Sequence, residues 1–173
     1  MPALTGPALV AAALLAVAGA HKLVDPTMTV GALRALRLPS SSGLVRAGAG
    51  MELTLGVAAV AQGGAVLWWA VTVSYVLFAA FVAAALRKGT MIGSCGCFGR
   101  EDTPPRPSHV VLNLVLAAIA AATAVAVPGA PLDALLDHPA EGTAVATLGA
   151  VSLFLLHAVY VDLPRTLVSA RRG

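Results

Sequence analysis

Two cysteines offer the most direct chemistry in this chain. Cys95 and Cys97 are the only cysteines among its 173 residues, and they sit in Gly93-Ser94-Cys95-Gly96-Cys97-Phe98-Gly99. A pair at this spacing closes a ring only if the residue between bends freely, which glycine does, and a disulfide in so small a ring is readily reduced. As a dithiol, the pair would be activated by nearby cations, because the thiolate is the nucleophile in exchange; Arg87, Lys88, Arg100 and His109 are candidates by sequence position. The chemistry expected is thiol-disulfide exchange, with one cysteine attacking and the other resolving. Two plainer readings stand beside it: half of a metal site completed by His21 or His109, or two inert half-buried cysteines. No other cysteines exist to build a four-cysteine zinc site, and no metal ligands are assigned.

A second candidate is Glu52, which lies within an apolar run. An ionised carboxylate there is costly and marks either a functional group or a protonated acid bonded to a neighbouring helix. As a functional group it would move protons for the thiol chemistry. Gly48 and Gly56 lie one turn to either side of it, so a second helix is expected to approach closely on that face. His21, Lys22 and Asp25 follow the first apolar run, with Lys22 read as an interfacial anchor. His21, Asp25, His109 and Asn113 could surround the cysteines at one membrane face; Asn113 is equally readable as interhelical glue. His157 and Tyr160 are polar groups in the last run and read as packing residues. The chain contains no phosphate-binding glycine loop and no Ser-His-Asp arrangement.

The elements that must position these residues are membrane helices. The composition is 58% hydrophobic and 11% charged, with a mean hydropathy of +0.88, which excludes an ordinary soluble domain. Apolar runs at Leu4 to Ala20, Leu44 to Ala61, Ala65 to Leu86, Val110 to Val127 and Thr143 to Leu163 predict an all-α polytopic bundle of about five transmembrane helices. They form a single integral membrane domain over 1–173, with a cysteine-bearing loop at 87–107. Gln62-Gly63-Gly64 predicts a tight turn, Pro128-Gly129-Ala130-Pro131 a helix end, and Thr29 to Leu38 a short interfacial helix stopped by Pro39. Trp68 and Trp69 read as interfacial anchors.

The net charge of +3 does not point to nucleic acid, because the 11 basic residues are scattered between apolar runs rather than gathered into a patch. Counted by connection, four precede the second helix, none separate the second and third, four separate the third and fourth, none follow the fourth, and three lie in the tail. With five spans all fall on one side, which predicts an N-out, C-in protein of the cell inner (plasma) membrane. Val17-Ala18-Gly19-Ala20 could suit a signal peptidase, but no Lys or Arg precedes the run, so a retained first helix is expected.

His21-Lys22 with Asp25-Pro26, Glu52-Leu53, Cys95-Gly96-Cys97-Phe98-Gly99 and Asn113-Leu114 together make the stretch from His21 to Leu116 resemble the MauE family of DoxX-like membrane proteins, named for methylamine utilisation. The resemblance implies a four-helix core plus one helix, and a redox-associated protein acting beside a thioredoxin-like partner while an exported enzyme matures. It carries directly to Cys95 and Cys97, and to Glu52 and His21 by position. A second cysteine pair is missing, so a quinone or a partner protein would have to act as the further electron acceptor. The charge count places the cysteine loop at the cytoplasmic face, so either it re-enters the membrane, helped by Met91, Ile92 and Phe98, or electrons enter from a cytoplasmic donor. The rival functions are a non-catalytic membrane assembly factor and a metal-handling membrane protein, and transport along the Glu52 face stays open.

Overall fold

The computed structural model describes residues 4–88, 106–126 and 129–157, apart from the side chains of Leu153, Leu156 and His157. The cysteine segment, with Cys95, Cys97 and Arg100, and the tail, with Tyr160, lie outside the described residues. Every element within them is an α-helix: α1 (Thr5–Val24), α2 (Thr27–Ala35), α3 (Ser42–Gln62), α4 (Ala65–Lys88), α5 (Pro107–Ala126), α6 (Pro131–Asp137) and α7 (Pro139–His157). Among the described residues four helices, α1, α3, α4 and α5, are long and apolar enough to cross a membrane. The chain is thus a polytopic helical membrane bundle. The fifth predicted run is helical from Pro139, and its continuation to Leu163 lies outside the described residues.

Local chemistry sets the helix ends. Ser41 caps α3 by accepting a hydrogen bond from Leu44 N at 3.2 Å, and Gly63 and Gly64, both at positive φ, make the expected turn into α4. The short interfacial helix appears as α2. It closes with paired backbone bonds, Leu38 N to Leu33 O and Arg37 N to Arg34 O, which require Arg37 to take φ 60°. This terminus usually carries glycine, so Arg37 adopts it at some backbone cost. The C-terminal end of α2 is further held by Lys88 Nζ, which donates to Leu36 O at 2.9 Å, while Ala32 and Leu36 pack with Ala85 and Phe81 of α4.

The helices close a ring in which α1 packs along α3 and α4 along α5, with lighter contact from α1 to α5 and from α3 to α4. The core lies inside it: Ala8, Ala11, Ala12 and Leu15 of α1 meet Trp68, Val71 and Tyr75 of α4 and Leu116, Ala117 and Ala120 of α5. Tyr75 spans it, its hydroxyl donating to Ala11 O at 2.6 Å. Trp69 is about half exposed, as an anchor requires, whereas Trp68 is fully buried and is not one. An aromatic pair so near a helix start reads as interfacial, but one ring has turned into the core. Outside the ring, α7 leans on α1 and the short α6.

Candidate functional site

Glu52 lies midway along α3 and forms an ion pair with Lys22 of α1. Both side chains are largely buried, at 16% and 6% exposure. The Lys22 ammonium also stands 4.7 Å from the centre of the Phe78 ring on α4, a cation over an aromatic face. Phe78 in turn meets Tyr75 edge to face, with centroids 6.0 Å apart and planes at 87°. The buried Glu52 Oε2 takes the ammonium as its partner in the ion pair and has no aligned hydrogen bond among the described residues. An apolar environment tolerates two such charges only together, since each neutralises the other's desolvation cost.

Close helix packing brings the pair together. A Cβ on Gly56 would stand 2.5 Å from Ala12 O, and one on Gly19 would stand 2.6 Å from Ala49 O. The two glycines therefore let the α1 and α3 backbones nearly touch, with Glu52 beside Gly19. Of the two glycines flanking Glu52, only Gly56 serves close approach. A Cβ on Gly48 would meet nothing within 4 Å, because Gly48 faces a gap instead.

That gap lies between α3 and α4. One cavity of about 350 Å³ is bounded by Thr29 and Leu33 of α2, Leu44, Val45, Gly48 and Glu52 of α3, Leu77, Phe78 and Phe81 of α4, and Lys22. A second of about 510 Å³ shares Gly48, Glu52, Leu77 and Phe78 and continues along α3 and α4 past Leu55, Leu67 and Ser74. Both fall within the size range of ligand sites. Exposed Leu44, Met51 and Leu77 stand on their walls, so the gap opens on the flank of the bundle. The Lys22–Glu52 pair is its one charged feature among the described residues.

The remaining candidates divide. His21 and Lys22, read as following the first helix, lie in its last turn; α1 runs on to Val24. Lys22 is an ion-pair partner rather than only an anchor, because Glu52 is in reach across the glycine seam. His21 is exposed. Asp25 is exposed too and lies between α1 and α2: its Oδ1 accepts from the Thr27 hydroxyl at 2.6 Å and from Thr27 N at 3.0 Å. Those two bonds hold the Asp25 carboxyl below the usual carboxylate range. On α5, His109 and Asn113 are buried. His109 Nδ1 accepts from Arg106 N at 3.1 Å, and Asn113 Nδ2 donates to His109 O at 2.7 Å. Neither lines the two cavities that Glu52 lines.

Helix direction still gathers these groups at one end of the bundle. The end of α1, all of α2 and the starts of α3 and α5 lie there with the end of α4, and with them Lys22, Arg34, Arg37, Arg46, Arg87, Lys88 and Arg106. The described acids beyond α5, namely Asp133, Asp137 and Glu141, lie in or beside α6 at the other end. Residues 89–105, which include both cysteines, follow α4 and precede α5 in the chain and lie outside the described residues. Sequence reading missed Phe78 and the gap it lines. Tyr75, Phe78 and Phe81 recur every three residues on α4, a one-sided aromatic row that could have flagged both.

A ring of four apolar helices with a buried ion pair on a side gap defines a multi-pass membrane protein with a polar site inside its helix bundle. Residues 2–126 match the family described as methylamine utilisation protein MauE, and the chain belongs to that family. No curated protein and no solved structure matches it.

Proposed function

We propose that this MauE-family protein is a thiol-disulfide redox component of the inner membrane, oriented N-out and C-in. Cys95 and Cys97 cycle between dithiol and disulfide, passing electrons between a thioredoxin-like partner and a membrane acceptor, and so support maturation of a partner enzyme. The observation that carries this reading is the convergence at one end of the bundle. The connection bearing both cysteines departs from Lys88 and returns at Arg106, at the end where Lys22, Arg87 and the α2 arginines gather. Cations close to a cysteine favour its thiolate over the thiol. The reaction balances with a quinone as acceptor: the dithiol loses two electrons and two protons as the S–S bond forms, and the quinone gains them to become a hydroquinone. Glu52 is the group we assign to proton movement, because it is the one carboxylate within the described spans.

The test is to trap thiols in native membranes with a mass-shifting alkylating reagent, with and without prior reduction. A reversible two-thiol shift, with a midpoint near that of cellular thiol carriers, is expected. Thiols that stay reduced under every oxidant, or a Cys95→Ser variant that still matures the partner enzyme, would overturn the redox role. A membrane-impermeant reagent applied to intact cells reads the orientation.

A further inference from the structure

The gap between α3 and α4 has a chemical character more specific than a void between helices. Its walls are aliphatic and aromatic, and its floor holds one cation and one carboxylate in contact. An ammonium has three N–H donors. Glu52 stands against it as an ion-pair partner and the Phe78 face lies on another side, which leaves donor capacity for a further partner. The neighbouring carboxylate offsets the positive charge, so the site disfavours an anionic headgroup such as phosphate and suits a neutral one with an acceptor oxygen. Phe78 and Phe81 lie one turn apart on the same side and offer edges or faces to a flat ring. The flank opening admits a ligand carrying an apolar tail directly from the bilayer.

We propose that this gap binds the headgroup of a membrane-soluble prenylated quinone. Lys22 donates a hydrogen bond to one ring carbonyl oxygen, and the ring lies against Phe78 and Phe81. Glu52 accepts a hydrogen bond from the corresponding hydroxyl of the hydroquinone, so one ion pair serves both redox forms. This inference rests on the reading of the protein as a redox component with a quinone acceptor, to which it adds the acceptor's place and the residues that hold it. The binding site itself contains neither cysteine.

The experiment uses the full-length protein in phosphatidylcholine nanodiscs with a decyl-substituted benzoquinone, and a photoreactive azido derivative to map contacts by peptide mass. Labelling is expected on α3 and α4 around Gly48 to Glu52 and Leu77 to Phe81, competed by the decylquinone and not by decanol. Gly48→Leu places a side chain in the gap without meeting existing atoms at its Cβ, and should weaken binding at least tenfold with an unfolding midpoint no lower than that of the wild type. Gly50→Leu, equally unobstructed at its Cβ and not among the residues lining the gap, should bind as wild type. Lys22→Met should also weaken binding. Wild-type affinity in Gly48→Leu, labelling elsewhere, or equal competition by decanol would overturn the site. The double variant Cys95→Ser/Cys97→Ser separates the two ideas: binding that survives in it, together with wild-type thiols that never cycle, keeps this site and removes the redox reading. Cycling thiols without quinone binding do the reverse.

Discussion

Two faces of α3 contrast. Toward α1, Gly56 and its counterpart Gly19 let two backbones approach so closely that neither position admits a Cβ. Toward α4 the helices part, leaving the cavities on either side of Glu52. Both faces belong to one 21-residue helix with glycine on each, so composition alone does not make a seam. Glycine makes a seam where a partner helix is pressed against it, and space where none is. The contrast also gives Glu52 its setting, since the seam brings in Lys22 and the gap gives the resulting pair access from the side.

The largest effect should come from breaking the pair that joins seam and gap. Lys22→Met leaves the Glu52 carboxylate buried without its cation, and removing one member of a buried pair costs about 3–5 kcal/mol. The loss is read from unfolding in mixed detergent micelles. The double variant Lys22→Met/Glu52→Leu should recover most of it. A single-variant loss below ~1 kcal/mol would mean that the pair does not secure the seam.

A smaller effect should separate the two glycines directly. Gly56→Ala forces a methyl against the α1 backbone and should cost about 1–3 kcal/mol, as overpacking does. Gly48→Ala meets open space and should stabilise by about 0.5–1 kcal/mol, because alanine is the better helix former. Equal changes at the two positions, measured under the same unfolding conditions, would erase the distinction between seam and gap.

The smallest effect lies outside the spans, just before α2, the helix that covers one end of the gap. Bonding to Thr27 lowers the Asp25 pKa, so its contribution to stability is present above the ordinary carboxylate value and fades as pH falls through the lowered one. Thr27→Val removes the hydroxyl and should return the Asp25 titration toward its ordinary position, seen by carboxyl-carbon NMR. A titration that does not move would show that the hydroxyl is not what holds the carboxylate.

Much of the architecture was legible in the chain. Long apolar runs disclose spans because a helix satisfies every backbone group within its own segment in lipid, and Gly63-Gly64 and Pro39 mark breaks, the glycines by their backbone freedom and the proline by its restriction. Helix ends were less legible: α1 runs past Ala20 to carry Lys22, because the cation is stabilised by a residue 30 positions further on. Glu52 stood out as a lone charge in an apolar run, but its partner did not, since Lys22 at a helix end has the same composition whether it anchors to water or turns inward. The same limit explains Trp68 and Trp69, adjacent residues with opposite fates on one helix.

By itself, then, the sequence determined the solvent, the helix pattern, the family and the residues with chemistry to offer, because each follows from local composition or motif. Only the tertiary structure decided which glycine is a seam and which a space, that Lys22 meets Glu52 under Phe78, and that α3 and α4 part around them. Those outcomes depend on the distances between helices, which arise when all four pack at once and which no single run of residues encodes.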